Sequence, residues 1–452
     1  MTTYWCSSAW LPEGLASDVR LVVADGVLTG VERGAAAQPS DVRLPGVVMP
    51  GFADAHSHAF HRALRGRTGT GGDFWSWRRT MYAVAAALTP DSMFELARAA
   101  YAEMVLAGTT AVGEFHYLHH PASGRYDDPN AMGEALRAAA REAGLRLTLL
   151  DACYLTGGVG RPLEGVQTRF GDGDAERWAD RVGRLRADDT FRVGAAVHSV
   201  RAVPPAQIGT VAAWAAGRGA PWHAHLSEQR AENEACQDAY GHSPAQVLEE
   251  ADALGPGSTV VHAVHLDPAD VVRLGRSRTT VCVCPTTERD LADGMAPAAA
   301  LRTAGSPLCV GSDQHVTADL LAEVQALEMH ERLRSGRRGV LPVVGLVDAL
   351  TQAGHRAIGW PEAGRLEGGA AADRVALRSD SVRTAGSDAG QVVMVAGAAD
   401  VDTVVVAGRT VVRDGAHVLG DVAGALGRVR VRGPALAVPA AAASRGPSDA
   451  AC

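Results

Sequence analysis

The chain has 452 residues and a formal net charge of −8, and its 43 basic residues are all arginine. That length suits one large domain with a smaller one beside it, and the acidic balance gives no reason to expect nucleic acid or an anionic membrane as a partner. Without lysine, a Schiff base, a P-loop lysine and a carboxylated lysine bridging two metal ions are all excluded.

The seven cysteines (Cys6, Cys153, Cys236, Cys282, Cys284, Cys309 and Cys452) lack C-x-x-C spacing, and Cys282 and Cys284 read as small strand residues rather than metal ligands. No basic segment followed by an apolar core opens the chain, and no apolar stretch has the length to span a bilayer, so a reduced cytoplasmic setting is expected.

In chain order, Arg20–Ala24, Asp25-Gly26 and Val27–Val31 have the turn chemistry of a β-hairpin. The apolar run Val47–Ala55 follows and ends in His56-Ser57-His58. Residues 59–88 form a long excursion rich in Gly, Arg, Trp and Phe, and loops of such length in compact domains are usually functional. Strand-like runs recur at Thr109–Phe115, Leu145–Ala152, Arg192–Val197, Pro221–Ala224, Ser258–Val261, Thr279–Cys284 and Pro307–Gly311, separated by helical stretches. Thr89-Pro90 and Asp267-Pro268 each place a capping residue before a proline at a helix start. Hairpin texture returns between Arg374 and Gly415.

Eight strands alternating with helices predict a (β/α)8 barrel over residues 47–365. Both chain ends, 1–46 and 366–432, are expected to build a small β-sandwich domain. The Ala/Pro/Ser-rich stretch 433–452 is expected to be a disordered tail.

In such barrels chemistry sits at the C-terminal ends of the strands. There, His56 and His58 share one face of a strand and can converge on one ion. His225 ends the fifth strand, with Glu228 just beyond it positioned to reach a metal-bound water, while His223, one step deeper, reads as a packed histidine. His262 ends the sixth strand, and Asp313 follows the eighth, as a ligand or proton acceptor. Histidines, an aspartate and a nearby glutamate equip a site for metal-assisted hydrolysis, in which the ion acidifies its water to a pKa of about 7.

The motifs Pro50-Gly51-Phe52-Ala53-Asp54-Ala55-His56-Ser57-His58, His225-Leu226-Ser227-Glu228, Val261-His262 and Gly311-Ser312-Asp313 resemble the amidohydrolase superfamily, in its mononuclear deaminase branch. Finer segments resemble its formimidoylglutamate deiminases: His56 to Gly66, Phe74 to Arg78, Glu114 to His120, His198 to Val203, Cys284 to Glu288 and Gly311 to Val316. The resemblance implies deamination of N-formimidoyl-L-glutamate to N-formyl-L-glutamate and ammonia, in histidine degradation.

It further implies one divalent ion per subunit, zinc being expected, held by His56, His58, His225 and Asp313. Glu228 and Asp313 would handle protons, and His262 would stabilise the tetrahedral adduct. Iron, manganese or nickel would suit the same N/O donors.

Two carboxylates on the substrate call for cationic anchors, and Arg78 and Arg201 are the natural ones, because a guanidinium forks two donors onto one carboxylate. By the same resemblance Tyr117 and His198 add hydrogen bonds. His61 stands where the family often has glutamine; it keeps a hydrogen-bonding role and adds a titratable group. A homodimer is expected from the resemblance alone. The rivals are a mononuclear deaminase of guanine or a related heterocycle, and a non-catalytic barrel with a structural ion.

Overall fold

A computed structural model describes residues 1–68 and 74–429; the tail expected over 433–452 lies outside the described residues. The chain opens with β1 (Thr2–Leu11), β2 (Gly14–Ala24), β3 (Val27–Glu32) and β4 (Val42–Pro50). The β2–β3 hairpin turns on Asp25 and Gly26 at φ 50° and 76°, the double left-handed conformation of a type I′ turn.

The apolar run Val47–Ala55, expected as one strand, is two: β4 stays with the terminal sheet, and β5 (Phe52–Ser57) opens the barrel. Gly51 lies at the break. A Cβ there would sit 2.2 Å from the Thr110 hydroxyl oxygen, so only glycine lets the chain pass so close to the neighbouring strand.

The barrel strands are β5, β6 (Thr109–His116), β7 (Arg146–Cys153), β8 (Phe191–Val197), β9 (Trp222–Leu226), β10 (Ser258–His262), β11 (Thr280–Val283) and β12 (Leu308–Val310), paired in sequence order and all parallel. Every residue of β5, β6, β7, β9 and β10 is buried, as expected of strands covered on both faces. The ring closes where Ser57 and Asp313 bridge β5 to the end of β12: His58 N donates to Asp313 O at 3.0 Å, and Asp313 N to His56 O at 2.9 Å.

Helices connect the strands with their predicted caps in place. Thr89 heads the helix Pro90–Leu106 in a capping box with Ser92, and Asp267 accepts from Asp270 N at the start of Pro268–Ser277. Small side chains, including Ala53, Ala55, Ala111 and Cys282, form one buried cluster with Ile358 and Trp360. Thr148 Oγ1 and His223 Nε2 bond the carbonyls of Ile358 and Ala357 at 2.6 and 2.9 Å, tying that segment to the barrel, so His223 is a packed residue.

The chain then returns to the first sheet as β13 (Arg374–Leu377), β14 (Val401–Val406), β15 (Arg409–Arg413) and β16 (Ala416–His417). The two chain ends thereby make a single mixed eight-stranded sheet, in the order β16-β15-β14-β13-β4-β1-β2-β3. Its seam is the antiparallel pair β4–β13, with Pro50 opposite Arg374.

Candidate active site

The sharp exits from β9, β10 and β12 bring the site together. Ser227, His262, Ala263, Asp313 and His315 have φ of 50°, 73°, 52°, 44° and 57°. Left-handed backbone is uncommon outside glycine, and such strain concentrates at functional sites. The turn after β5 is clamped as well. Glu114 accepts from Ala59 N at 2.8 Å and from Ser57 Oγ at 3.1 Å, and Ser57 Oγ lies 2.9 Å from His315 Nε2.

His56 Nε2 and His225 Nε2 face each other at 3.1 Å, and the Nε2 atoms of His56 and His58 each lie 3.4 Å from Asp313 Oδ1. Donors about 2.0–2.1 Å from one tetrahedral ion stand roughly 3.3 Å apart, so His56, His58 and Asp313 are spaced for a single cation, and His225 adjoins that group through His56. His58 Nδ1 lies 2.7 Å from the Phe115 carbonyl, which can only accept; the proton therefore sits on Nδ1, and the Nε2 lone pair faces the cluster. The Phe115 ring stacks on His225 at 4.3 Å and fixes that imidazole.

Electrostatics suit a cation. Burial drives His56 down to about 3, keeping it a neutral ligand, and holds His58 and His225 below the ordinary histidine value. Burial works against the Asp313 charge, but His56, His262 and His58 hold its carboxyl well below the usual range. Glu228 is pushed up by burial, against the pull of His262. Burial opposes a charge on His262 too, yet Glu228, Glu288 and Asp313 together raise it to about 10. His262 Nε2 lies 4.0 Å from Glu228 Oε1 and 3.9 Å from Asp313 Oδ2.

Another histidine–carboxylate group, His116, His119 and Asp151, is already served by a cation of its own, because Arg181 forks onto Asp151 at 2.9 and 2.8 Å.

Nearly all the residues singled out in the sequence line one cavity: His58, His61, Arg78, Tyr117, His198, Arg201, His225, Glu228, His262 and Asp313. His56 is fully buried and completes the cluster through its contacts with His225 and Asp313. His61 Nε2 lies 2.9 Å from the Tyr117 hydroxyl, and burial keeps the His61 ring neutral. His198 packs edge-on against Tyr117 and His225. Arg78 lies on the helix Phe74–Ala87, its guanidinium 5.3 Å from the centre of the Tyr82 ring.

The structure adds residues that spacing did not reveal. Glu288 reaches His262 Nδ1 at 3.5 Å and also accepts from Cys284 N at 2.9 Å. Its only signal was its place in the family-like segment Cys284–Glu288. Glu232 is buried behind Arg201, 3.9 Å from its Nε, and burial pushes that carboxyl up to about 7 despite the guanidinium. Its signal was its place in the first turn of the helix Arg230–Tyr240, four residues after Glu228. Tyr82, Tyr154 and Phe170 complete an aromatic wall.

Comparison with known proteins agrees with this geometry. Residues 47–411 match the Amidohydrolase family, and residues 1–44 match the N-terminal domain described as formimidoylglutamate deiminase HutF. A formimidoylglutamate deiminase of Pseudomonas aeruginosa is 39% identical over 438 residues, covering 92% of this chain and 96% of that protein. An 8-oxoguanine deaminase of the same organism is 29% identical, over 94% of this chain and 96% of its own length. The crystal structure of an amidohydrolase from Brucella melitensis superposes with a TM-score of 0.88 at 33% identity, covering 95% and 99% of the two chains. With a parallel barrel whose strand ends group His56 and His58 with Asp313, and with matches running nearly end to end, the chain belongs to the amidohydrolase family, among its formimidoylglutamate deiminases.

Proposed function

We propose that this protein hydrolyses N-formimidoyl-L-glutamate to N-formyl-L-glutamate and ammonia, in histidine degradation. The observation that carries the reading is that Arg78 and Arg201 line the same cavity as the histidine–aspartate cluster and Glu228. A neutral purine calls for amide-edge recognition, whereas a dicarboxylate calls for two guanidinium forks. The near-complete match to a formimidoylglutamate deiminase supports the same choice.

His56, His58, His225 and Asp313 would hold one divalent ion, with zinc the best fit to this nitrogen and oxygen donor set. When bound, that ion supplies the charge that acidifies the attacking water and polarises the formimidoyl group. The chain's own groups do the rest. Arg78 and Arg201 hold the two carboxylates and so aim the formimidoyl carbon at the cluster, while the Tyr117 hydroxyl, His61 and His198 border the bound substrate. Glu228 takes a proton from the attacking water on a carboxylate oxygen and returns it to the leaving nitrogen, with Asp313 as a second acceptor; its burial raises its proton affinity towards that of a working base. His262, kept charged by the carboxylates around it, donates from Nε2 to the oxygen of the tetrahedral adduct. Ammonia leaves as the carbonyl forms.

The reading includes a homodimer in a reduced cytoplasmic compartment. Six described cysteines are unpaired and buried, as that setting allows, and among the described residues no helix is long and apolar enough to cross a membrane. Ammonia release from N-formimidoyl-L-glutamate, followed before and after chelation and again with added zinc, tests the assignment. Release that disappears with the metal and returns with zinc supports it. A metal-replete protein that acts on guanine or 8-oxoguanine and not on the dicarboxylate overturns it.

A further inference from the structure

Outside the catalytic cavity lies a second compartment that shares two wall residues with it, Arg78 and Arg201. A third guanidinium reaches this outer compartment from Arg161, in the loop after β7. That loop is a built turn. Gly157 N donates to Arg161 O at 2.9 Å, Arg161 N donates to Gly158 O at 2.9 Å, and Gly160 takes a φ of 66° between them.

The turn is fastened to the cavity wall. Gln167 donates to the Tyr82 hydroxyl at 3.0 Å and lies 3.5 Å from the Gly157 carbonyl, and Tyr82 in turn sits beneath Arg78. Gly157 packs so tightly against Gln167 that a Cβ would come within 2.6 Å of its side-chain oxygen. Arg161 and Arg78 therefore share one framework, with Arg161 outermost.

The charges along this path are uneven. Glu232 also lines this compartment, 3.9 Å from Arg201 Nε, and the two offset each other's fields. Arg161 is exposed and makes no ion pair with any described residue, so its charge is directed at the compartment and the solvent. A dicarboxylate with a net negative charge meets repulsion overall from a chain of net charge −8, and a local line of guanidinium groups beside low-dielectric walls reverses that at the mouth.

We propose that the outer compartment is an entry subsite for carboxylates in which Arg161 captures the incoming dicarboxylate and passes it to Arg78 and Arg201. This rests on the dicarboxylate reading above. Arg161 acts before the chemistry, so its contribution belongs in kcat/KM and in its salt dependence, and not in kcat.

The test compares the wild type with Arg161→Gln and with Arg409→Gln, which removes the same charge from the exposed first residue of β15 in the terminal sheet. At about 20 mM salt, Arg161→Gln should lower kcat/KM roughly three- to tenfold and leave kcat within about twofold. The gap should close near 0.5 M salt, where the screening length is only a few ångströms. Arg409→Gln should match the wild type throughout.

Calorimetric titration with N-formyl-L-glutamate gives a second readout that does not depend on turnover, and at low salt Arg161→Gln should bind it several-fold more weakly. An Arg161→Gln protein indistinguishable from Arg409→Gln in both measurements overturns the subsite, as does one that loses kcat at unchanged KM. Failure of the wild type to act on the formimidoyl substrate falsifies the functional reading instead, and leaves the binding comparison to decide the subsite.

Discussion

Glu228 and His262 face each other at 4.0 Å, a buried acid and a buried base each setting the other's charge. Glu228→Gln preserves the shape and removes the proton acceptor. Metal content measured by mass spectrometry should stay at the wild-type level while kcat falls by about 10²–10⁴; near-normal turnover would place proton transfer elsewhere. The two arginines should behave differently from one another. Arg78→Met and Arg201→Met should each raise KM by roughly 10–100-fold, the loss of a charge-assisted carboxylate contact. Arg201→Met also strands Glu232 in the interior without its counter-charge, so its melting temperature should drop, and adding Glu232→Gln should restore much of the loss. The four clustered residues, His56, His58, His225 and Asp313, were legible because each lies at or just past the end of a strand-like run, where a barrel gathers its chemistry. Glu288 was not, because it meets His262 from another element, and no spacing within one strand or helix encodes that meeting.

The barrel closes at the site itself, between β5 and the end of β12, and Gly311 marks how tight that closure is. A Cβ there would lie 2.6 Å from His56 O and 2.9 Å from His56 N, backbone that has no room to yield. Gly311→Ala should therefore push His56 and Asp313 apart, lowering bound metal together with stability by about 1–3 kcal/mol; a variant with full metal content would show that the seam can relax. Behind it, the helix Leu320–Ser335 holds the helix Pro285–Asp290 through Glu323, which accepts from Thr286 N at 2.9 Å and from the Thr286 hydroxyl. Burial pushes the Glu323 carboxyl up to about 8, well above its ordinary 4.5. The folded state keeps a proton that the unfolded chain gives up, so the wild type loses stability as pH rises between those values. Glutamine has no such proton. Thermal melts of Glu323→Gln should thus gain on the wild type between pH 5.5 and pH 8.5, and a pH-independent difference would mean that the carboxyl is ionised throughout. At this scale the sequence was readable where caps and turns carry their own chemistry, at Thr89, Asp267 and Asp25-Gly26. It was opaque at Gly51, because two strands buried on both faces read as one apolar run, and only the contact with Thr110 on the next strand separates them.

Over the whole molecule, the alternation of strand and helix foretold the barrel, and the hairpins at both ends foretold a second sheet built from them. The seam of that sheet was not legible, since nothing in β4 or β13 alone says that Pro50 will lie opposite Arg374. That seam has a consequence for how the chain is made. β4 leaves the ribosome with the apolar run Val47-Val48-Met49, yet the strand that covers its edge is translated some 320 residues later, roughly 15–65 s at 5–20 residues per second. Through that interval β4 has β1 on one side and an open edge on the other, the kind of edge that recruits foreign strands. Asp313, the last of the four clustered residues to be synthesised, also emerges before β13. The four clustered residues are therefore all made while the first sheet is still half complete, and a chain that ended between residues 361 and 373 would carry every barrel strand beside an uncovered β4 edge.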